Sequence, residues 1–109
     1  MRTLRFVVED QTLKQDPHCD FSGLVPGTED YLQVSFSFSS EWIGYGKTVI
    51  FRSMLGKVYS QTELKDGKTC VVPIDALKKR AFKMQIVGQR GKQKILTNKL
   101  VVNQTGGKE

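Results

Sequence analysis

Histidine and cysteine are scarce in this sequence of 109 residues, which contains one His and two Cys. A structural zinc site takes four ligands, mostly Cys and His, and His18, Cys19 and Cys70 do not supply such a set. We therefore expect no metal site, and no motif indicates a cofactor. Both cysteines are expected to be free thiols, because no secretory signal is visible and synthesis in a reducing cytoplasm is expected.

Long hydrophobic runs are also lacking. A membrane-spanning helix needs about 20 mainly apolar residues, and the apolar runs here are only a few residues long. The N-terminus lacks the apolar core of a signal peptide, so the sequence predicts neither a membrane span nor secretion. Its length predicts one domain around one core, which we place at 1–103, followed by a polar, Gly-containing tail at 104–109.

Acidic residues are rare in the C-terminal third. Residues 78–109 carry 9 basic and 1 acidic side chain, a net charge of +8. Residues 1–77 carry 8 basic and 10 acidic side chains, a net charge of −2. This asymmetry favours a negatively charged partner facing the C-terminal third.

Strict alternation is clearest over 31–38, YLQVSFSF, where the even positions are all apolar. A period of two places successive side chains on opposite faces of a strand, so one face of this strand is expected in the core. A second β-rich run, TVIF, covers 48–51 after a connection that contains Ser, Gly and Trp42. We expect the two strands to pair, with Trp42 closing the end of the core between them.

The whole chain reads as seven to nine short strands separated by Gly, Pro, Asn and Asp, with one short helical turn near 74–79. This pattern predicts an all-β protein, an antiparallel β-sandwich of the immunoglobulin-like kind. A small barrel is the alternative. The other expected strands lie at 4–8, 19–25, 58–61, 69–72, 82–87, 94–97 and 100–102, with a hairpin turn at 88–91.

The sequence contains no catalytic signature, and we expect no enzyme. His18 has no Ser or Cys at a spacing that would place a nucleophile beside it. The glycines around Tyr45 lack the spacing and the strand-to-helix context of a phosphate-binding loop. The carboxylates are scattered over predicted loops, without a pair for acid–base chemistry.

A basic hairpin is the first candidate site. Arg90, Lys92 and Lys94 alternate along GQRGKQK, and we expect them on one face at the hairpin tip. A basic β-ribbon can bind phosphates in a salt-sensitive way, whereas the alternative is a solvated edge whose lysines prevent aggregation. Trp42 and Tyr45 are a second candidate, a platform for a ligand such as a carbohydrate, although a buried Trp42 that caps the sandwich is the preferred interpretation.

Four segments occur in order: FVVED, YLQVSFSFSSEWIGYGKTVIFR, DGKTCVVPIDALKKRAFKMQIVG and KILTNKLVVNQTGG. In these segments the chain resembles small immunoglobulin-like modules of tail, baseplate or fibre-associated proteins from phages and prophages of Gram-positive hosts. The resemblance covers nearly the whole chain. Its most specific parts are EW-x-G followed by K-T-x-x-F-R, then C-x-V-P-x-x-x-L, and the late V-x-G…T-N.

The resemblance implies a virion structural or attachment protein, made in the bacterial cytoplasm, that docks to other virion proteins. It implies a homo-oligomer or many copies on a lattice, with no catalysis and no membrane. The candidate contact residues are Arg90, Lys92, Lys94, Trp42 and Tyr45. A nucleic-acid-binding β-domain that uses the basic hairpin is the alternative, and a carbohydrate-binding module comes third.

Overall fold

The alternating segments form two packed β-sheets in the structure, a computed structural model that describes residues 1–64 and 66–104. The all-β sandwich is therefore confirmed, and so is the helical turn near residue 74. The elements within the described ranges are β1 (Arg2–Glu9), β2 (Thr12–Gln15), β3 (Leu32–Phe38), β4 (Gly46–Arg52), β5 (Val58–Glu63), β6 (Thr69–Val71), α1 (Ile74–Leu77), β7 (Ala81–Arg90), β8 (Gln93–Leu96) and β9 (Leu100–Asn103).

One sheet has the strand order β2-β1-β3-β6, and the other has β5-β4-β7, with β8 and β9 both paired to β7. All of these pairs are antiparallel except β1 with β3, which run parallel and depart in this respect from the predicted antiparallel arrangement. Each sheet turns one apolar face inward, as the period of two requires. The largest fully buried side chains are Trp42, Phe6, Phe51 and Phe82.

The expected pairing of the strands at 31–38 and 48–51 is wrong. The corresponding strands, β3 and β4, lie in different sheets. The connection between them contains a 3₁₀ turn, Ser40–Trp42, that carries the chain from one sheet to the other. The expectation that Trp42 closes the end of the core is confirmed, because its side chain is fully buried.

The segment at 19–25 was expected to be a strand and is instead a loop. This loop covers the edge of β1 beyond the end of β2. The backbone N–H of Arg5 donates to Sγ of Cys19 at 3.3 Å, and the Arg2 guanidinium donates to the carbonyl oxygens of Asp20 and Ser22. The strand that does occur nearby is β2, which the polar composition of its residues concealed.

The C-terminal hairpin is longer than expected. Gly88 lies inside β7, and the reversal occurs at Gly91 and Lys92, between the paired residues Arg90 and Gln93. The expected turn at 88–91 is therefore displaced toward the C-terminus.

Both ends of the described chain lie at the same end of the sandwich. The side chain of Gln104 is buried and donates to the carbonyl oxygens of Ala76, Leu77 and Lys79 around the end of α1. Gln104 and Arg2 line one small cavity. Packing therefore continues one residue past the expected boundary at 103, and the remainder of the expected tail, 105–109, is outside the described residues.

Candidate functional site

Trp42 is not a surface platform. Its side chain has no exposed area, and Nε1–H donates to the carbonyl oxygen of Asp10 at 2.6 Å. The ring packs against Gly88 of β7, where a Cβ atom would lie 2.6 Å from Cζ3. A ligand platform made of Trp42 and Tyr45 is contradicted by this burial, since a stacking surface requires an exposed ring face.

Tyr45 lies between Trp42 and the basic hairpin. Its ring contacts Trp42 edge-on at a centroid distance of 6.3 Å, and the guanidinium of Arg90 lies 4.7 Å from the Tyr45 ring centroid. Oε1 of Gln93 accepts hydrogen bonds from the Tyr45 hydroxyl at 3.1 Å and from Arg90 Nη2 at 2.9 Å. Arg90 is therefore held by cation–π and hydrogen-bond contacts within the chain.

The three basic residues of the hairpin do not share one face. Arg90 is paired with Gln93, and Lys94 is paired with Gln89 on the preceding position of β7. Neighbouring positions of a strand face opposite sides of the sheet, so Arg90 and Lys94 lie on opposite faces. Lys92 is in the turn itself. The predicted alternation fails here because the turn interrupts the strand period.

The basic residues of the C-terminal third are divided between the two ends of β7. Lys78, Lys79 and Arg80 are exposed before the strand begins, whereas Lys92 and Lys94 are exposed beyond its far end. Seven strand positions separate Lys83 from Arg90, a distance of about 23 Å at roughly 3.3 Å per residue. The +8 charge is therefore spread along the sheet instead of forming one patch.

The edge strand β5 is the surface that sequence reasoning missed. It is the terminal strand of its sheet and pairs only with β4 among the described strands. With six residues it is the longest edge strand, and Gln61, Thr62 and Glu63 are exposed. It contains neither Lys nor Pro, the residues that commonly protect an edge against pairing. That lack was visible in the sequence VYSQTE, but the sequence did not show that the strand lies at an edge.

The backbone groups that β5 presents outward follow from its register. Leu64 N–H donates to Lys47 O, and the pairing of Thr62 with Val49 follows the same register. Hydrogen-bonded and non-hydrogen-bonded pairs alternate along an antiparallel ladder. Residues 60, 62 and 64 therefore direct their backbone groups toward β4, while Gln61 and Glu63 direct theirs away from the sheet.

An apolar turn precedes this edge. Leu55 is 99% exposed, and Met54 and Val58 are 44% and 38% exposed. The turn is closed by hydrogen bonds from Ser53 N–H to Lys57 O and from Gly56 N–H to Ser53 O. Its apolar side chains are thus presented on a closed turn beside the start of β5.

The opposite side of the sandwich is closed by Asn98. Its Oδ1 accepts from Leu13 N–H at 2.6 Å, and its Nδ2 donates to Leu13 O at 3.1 Å. The amide thereby occupies the outer edge of β2 as a partner strand would. Edge protection on this side contrasts with the uncovered backbone of β5.

A groove with charges of both signs opens beside the 3₁₀ turn. An open groove of about 340 Å³ lies between the sheets, where Lys47 Nζ is 5.2 Å from the Phe38 ring centroid. Lys68 and Asp66 also line it, so charges of both signs are present.

In the loop over β1, hydrogen bonds from the Ser22 hydroxyl and backbone N–H hold the pKa of Asp20 below its ordinary value, and the nearby Arg2 acts in the same direction.

Among the described residues, no group of three metal-ligating side chains occurs, and no helix is long and apolar enough to span a membrane. Comparison of the chain with protein-family models and with curated proteins finds no match.

Proposed function

We propose that this chain is a structural docking module of a phage virion that attaches to its neighbours in a tail, baseplate or fibre assembly. The observation that carries the docking role is the uncovered edge of β5. The virion setting is supported by the sequence resemblance described above. Its partners are other virion proteins, further copies of this chain included.

Docking at β5 is explained by strand addition. An extended segment placed beside β5 would form main-chain hydrogen bonds with the outward backbone groups of Gln61 and Glu63. The apolar turn formed by Met54, Leu55 and Val58 lies beside this segment and offers apolar area for burial. Backbone pairing and apolar burial together give this edge the chemistry of a protein–protein contact.

Nucleic-acid binding is a second candidate, favoured by the exposure of Lys92 and Lys94 at the hairpin tip. Its weakness is that Arg90 is engaged by Tyr45 and Gln93. Binding of this kind depends on counterion release and falls steeply with salt. Light scattering with short duplex DNA at low and high salt separates the two functions. A mass increase only at low salt, lost in Lys92→Glu/Lys94→Glu, would favour the second candidate.

The virion proposal is tested on phage particles. Particles purified by density gradient after induction of the host should contain the chain in a fixed ratio to the tail proteins, measured by quantitative mass spectrometry. Gln61→Pro, which removes an outward N–H, should reduce incorporation, and Gln61→Ala, which retains it, should not. Recovery of the wild-type chain only outside the particles would overturn the proposal.

A further inference from the structure

The free edge of β5 is regular over only part of its length, which restricts the strand that can pair with it. The register of β5 against β4 shifts between Phe51 and Arg52, so that Tyr59 has no partner residue while Ser60 pairs with Phe51. Such a bulge disturbs regular pairing locally. The regular part of the free edge therefore runs over 60–63, and its outward backbone groups are centred on Gln61.

Ser60 supplies the second observation. Its Oγ is buried and has no hydrogen-bond partner among the described residues. A buried hydroxyl without a partner is unfavourable, because it has given up its hydrogen bonds to water. An added strand that places a hydroxyl opposite Ser60 would remove this penalty.

We infer that β5 pairs antiparallel with β5 of a second copy of this chain, about a two-fold axis that passes between the two Gln61 residues. The inference rests on the docking role proposed above for this edge. In this register Gln61 pairs with Gln61 of the second copy through their outward N–H and C=O groups. Ser60 then lies opposite Thr62 of the second copy, which brings a hydroxyl to the unpartnered Oγ, and the two-fold axis repeats the contact.

Neighbouring two-fold registers are less favourable. An axis at Ser60 would join the outward groups of Gln61 only to the bulged Tyr59, whereas the axis at Gln61 keeps one regular outward pair at its centre. An axis at Thr62 would place Ser60 opposite the apolar Leu64 and leave its Oγ without a partner. Only the axis at Gln61 satisfies Ser60 while keeping the outward groups of Gln61 in register.

Charge is compatible with this arrangement. Glu63 lies opposite Tyr59 of the second copy, and Lys57 of that copy lies in the turn just before β5. Glu63 and Lys57 are both exposed. The two-fold axis repeats this arrangement, so each Glu63 lies near the turn that carries Lys57.

A cysteine scan tests the register on the intact chain. In the inferred register the two Cα atoms at position 61 are about 5.5 Å apart, within disulfide range. Those at 60, and likewise those at 62, are roughly 8–9 Å apart, beyond that range. Under mild oxidation, Gln61→Cys should give a cross-linked dimer, whereas Ser60→Cys and Thr62→Cys should not exceed the wild type, whose own thiols provide the background.

Sedimentation equilibrium tests the association without new thiols. Gln61→Pro removes one outward N–H from each copy, two hydrogen bonds in total, and should weaken the dimer by about tenfold or more. Gln61→Ala should leave the dimer constant nearly unchanged, and Glu63→Lys should weaken it. Near-UV circular dichroism verifies that each variant is folded.

Two results would overturn the inference: strongest cross-linking at position 60 or 62, or a wild-type chain that stays monomeric at all accessible concentrations. The second result, together with incorporation of the chain into phage particles, would overturn the self-pairing and retain the virion role. Cross-linking of Gln61→Cys in a chain that is absent from phage particles would retain the self-pairing and overturn the virion role.

Discussion

The tip of the Trp42 indole approaches the backbone of Gly88 so closely that a Cβ atom at position 88 would lie 2.6 Å from Cζ3. Gly88 has an extended backbone within β7 and is required here for space, not for conformation. Trp42 is fixed from the other side by its hydrogen bond to Asp10 O. The two residues therefore set the distance between the connection at 40–42 and the second sheet.

Gly88→Ala should destabilise the fold by about 1–3 kcal/mol, the usual cost of overpacking a core. Gly46→Ala is the matched control, because Gly46 also lies in a strand and its nearest contact to a Cβ is an ordinary 3.7 Å. Urea unfolding followed by circular dichroism measures both. Equal stabilities for the two variants would contradict the close packing of Trp42.

Trp42 fluorescence should be protected from iodide. It is the only tryptophan, so the signal is unambiguous, and its side chain has no exposed area. We expect a quenching constant several-fold below that of the urea-unfolded chain. Similar quenching in both states would show that the indole is accessible.

Gln104→Glu should destabilise the fold by at least about 2 kcal/mol at neutral pH, because a buried carboxylate would replace a donor among carbonyl oxygens. Burial raises the pKa of such a carboxyl group. The folded state of the variant then binds its proton more tightly than the unfolded state, so its stability relative to wild type should recover as pH falls. Urea titrations at pH 4 and pH 7 measure this, and Gln104→Ala should show no such recovery.

Asn98 gives a prediction that separates its two hydrogen bonds. Asn98→Asp retains the oxygen that accepts from Leu13 N–H and loses the donor to Leu13 O, while Asn98→Ala loses both. Each lost partner should destabilise by about 1–3 kcal/mol. Amide exchange of Leu13 should accelerate in Asn98→Ala and much less in Asn98→Asp. Unchanged Leu13 exchange in Asn98→Ala would contradict the edge-covering role.

The Asp20 carboxyl group gives a pH prediction for the loop over β1. Because its pKa is lowered in the folded chain, its stabilising contribution is present above the ordinary value and is lost as pH falls through the lowered one. Of the two Ser22 hydrogen bonds, the one from the side chain lowers the pKa of Asp20 more. Ser22→Ala removes that bond and should raise the pKa of Asp20, whereas Ser22→Thr retains a hydroxyl and should not. Carboxyl NMR titration measures the change. The same Asp20 titration in wild type and in Ser22→Ala would contradict the role of the Ser22 hydroxyl.

Strand positions were largely predictable because alternation is a local property of the sequence. Residues 32–38 and 82–86 bury the faces that the alternation indicates. Sheet partners were not predictable in the same way, since they depend on where the 3₁₀ turn at Trp42 sends the chain. The parallel pairing of β1 with β3 likewise depends on the long connection after β2, which has no periodic signal.

The candidate site was less predictable than the fold. Burial of Trp42 was foreseen as one of two alternatives, but the face of each hairpin residue depended on the position of the turn, which lies at Gly91 instead of beginning at Gly88. Whether a strand lies at an edge is a global property of the topology. The open edge of β5 therefore became apparent only from the folded arrangement.

The shared position of the two ends of the described chain, Arg2 and Gln104, has a mechanical consequence. Arg2 and Gln104 line one cavity, so a load applied through both ends acts at a single end of the sandwich. Ladder hydrogen bonds run across the strands, and a pull of this direction opens them one after another, as in peeling. A load that enters through β1 and leaves through the β5 edge passes from one sheet to the other, so it crosses the core and is shared by many contacts at once. Resistance to tension should thus be greater when the module is held at β1 and at the β5 edge than when it is held at both ends of the described chain.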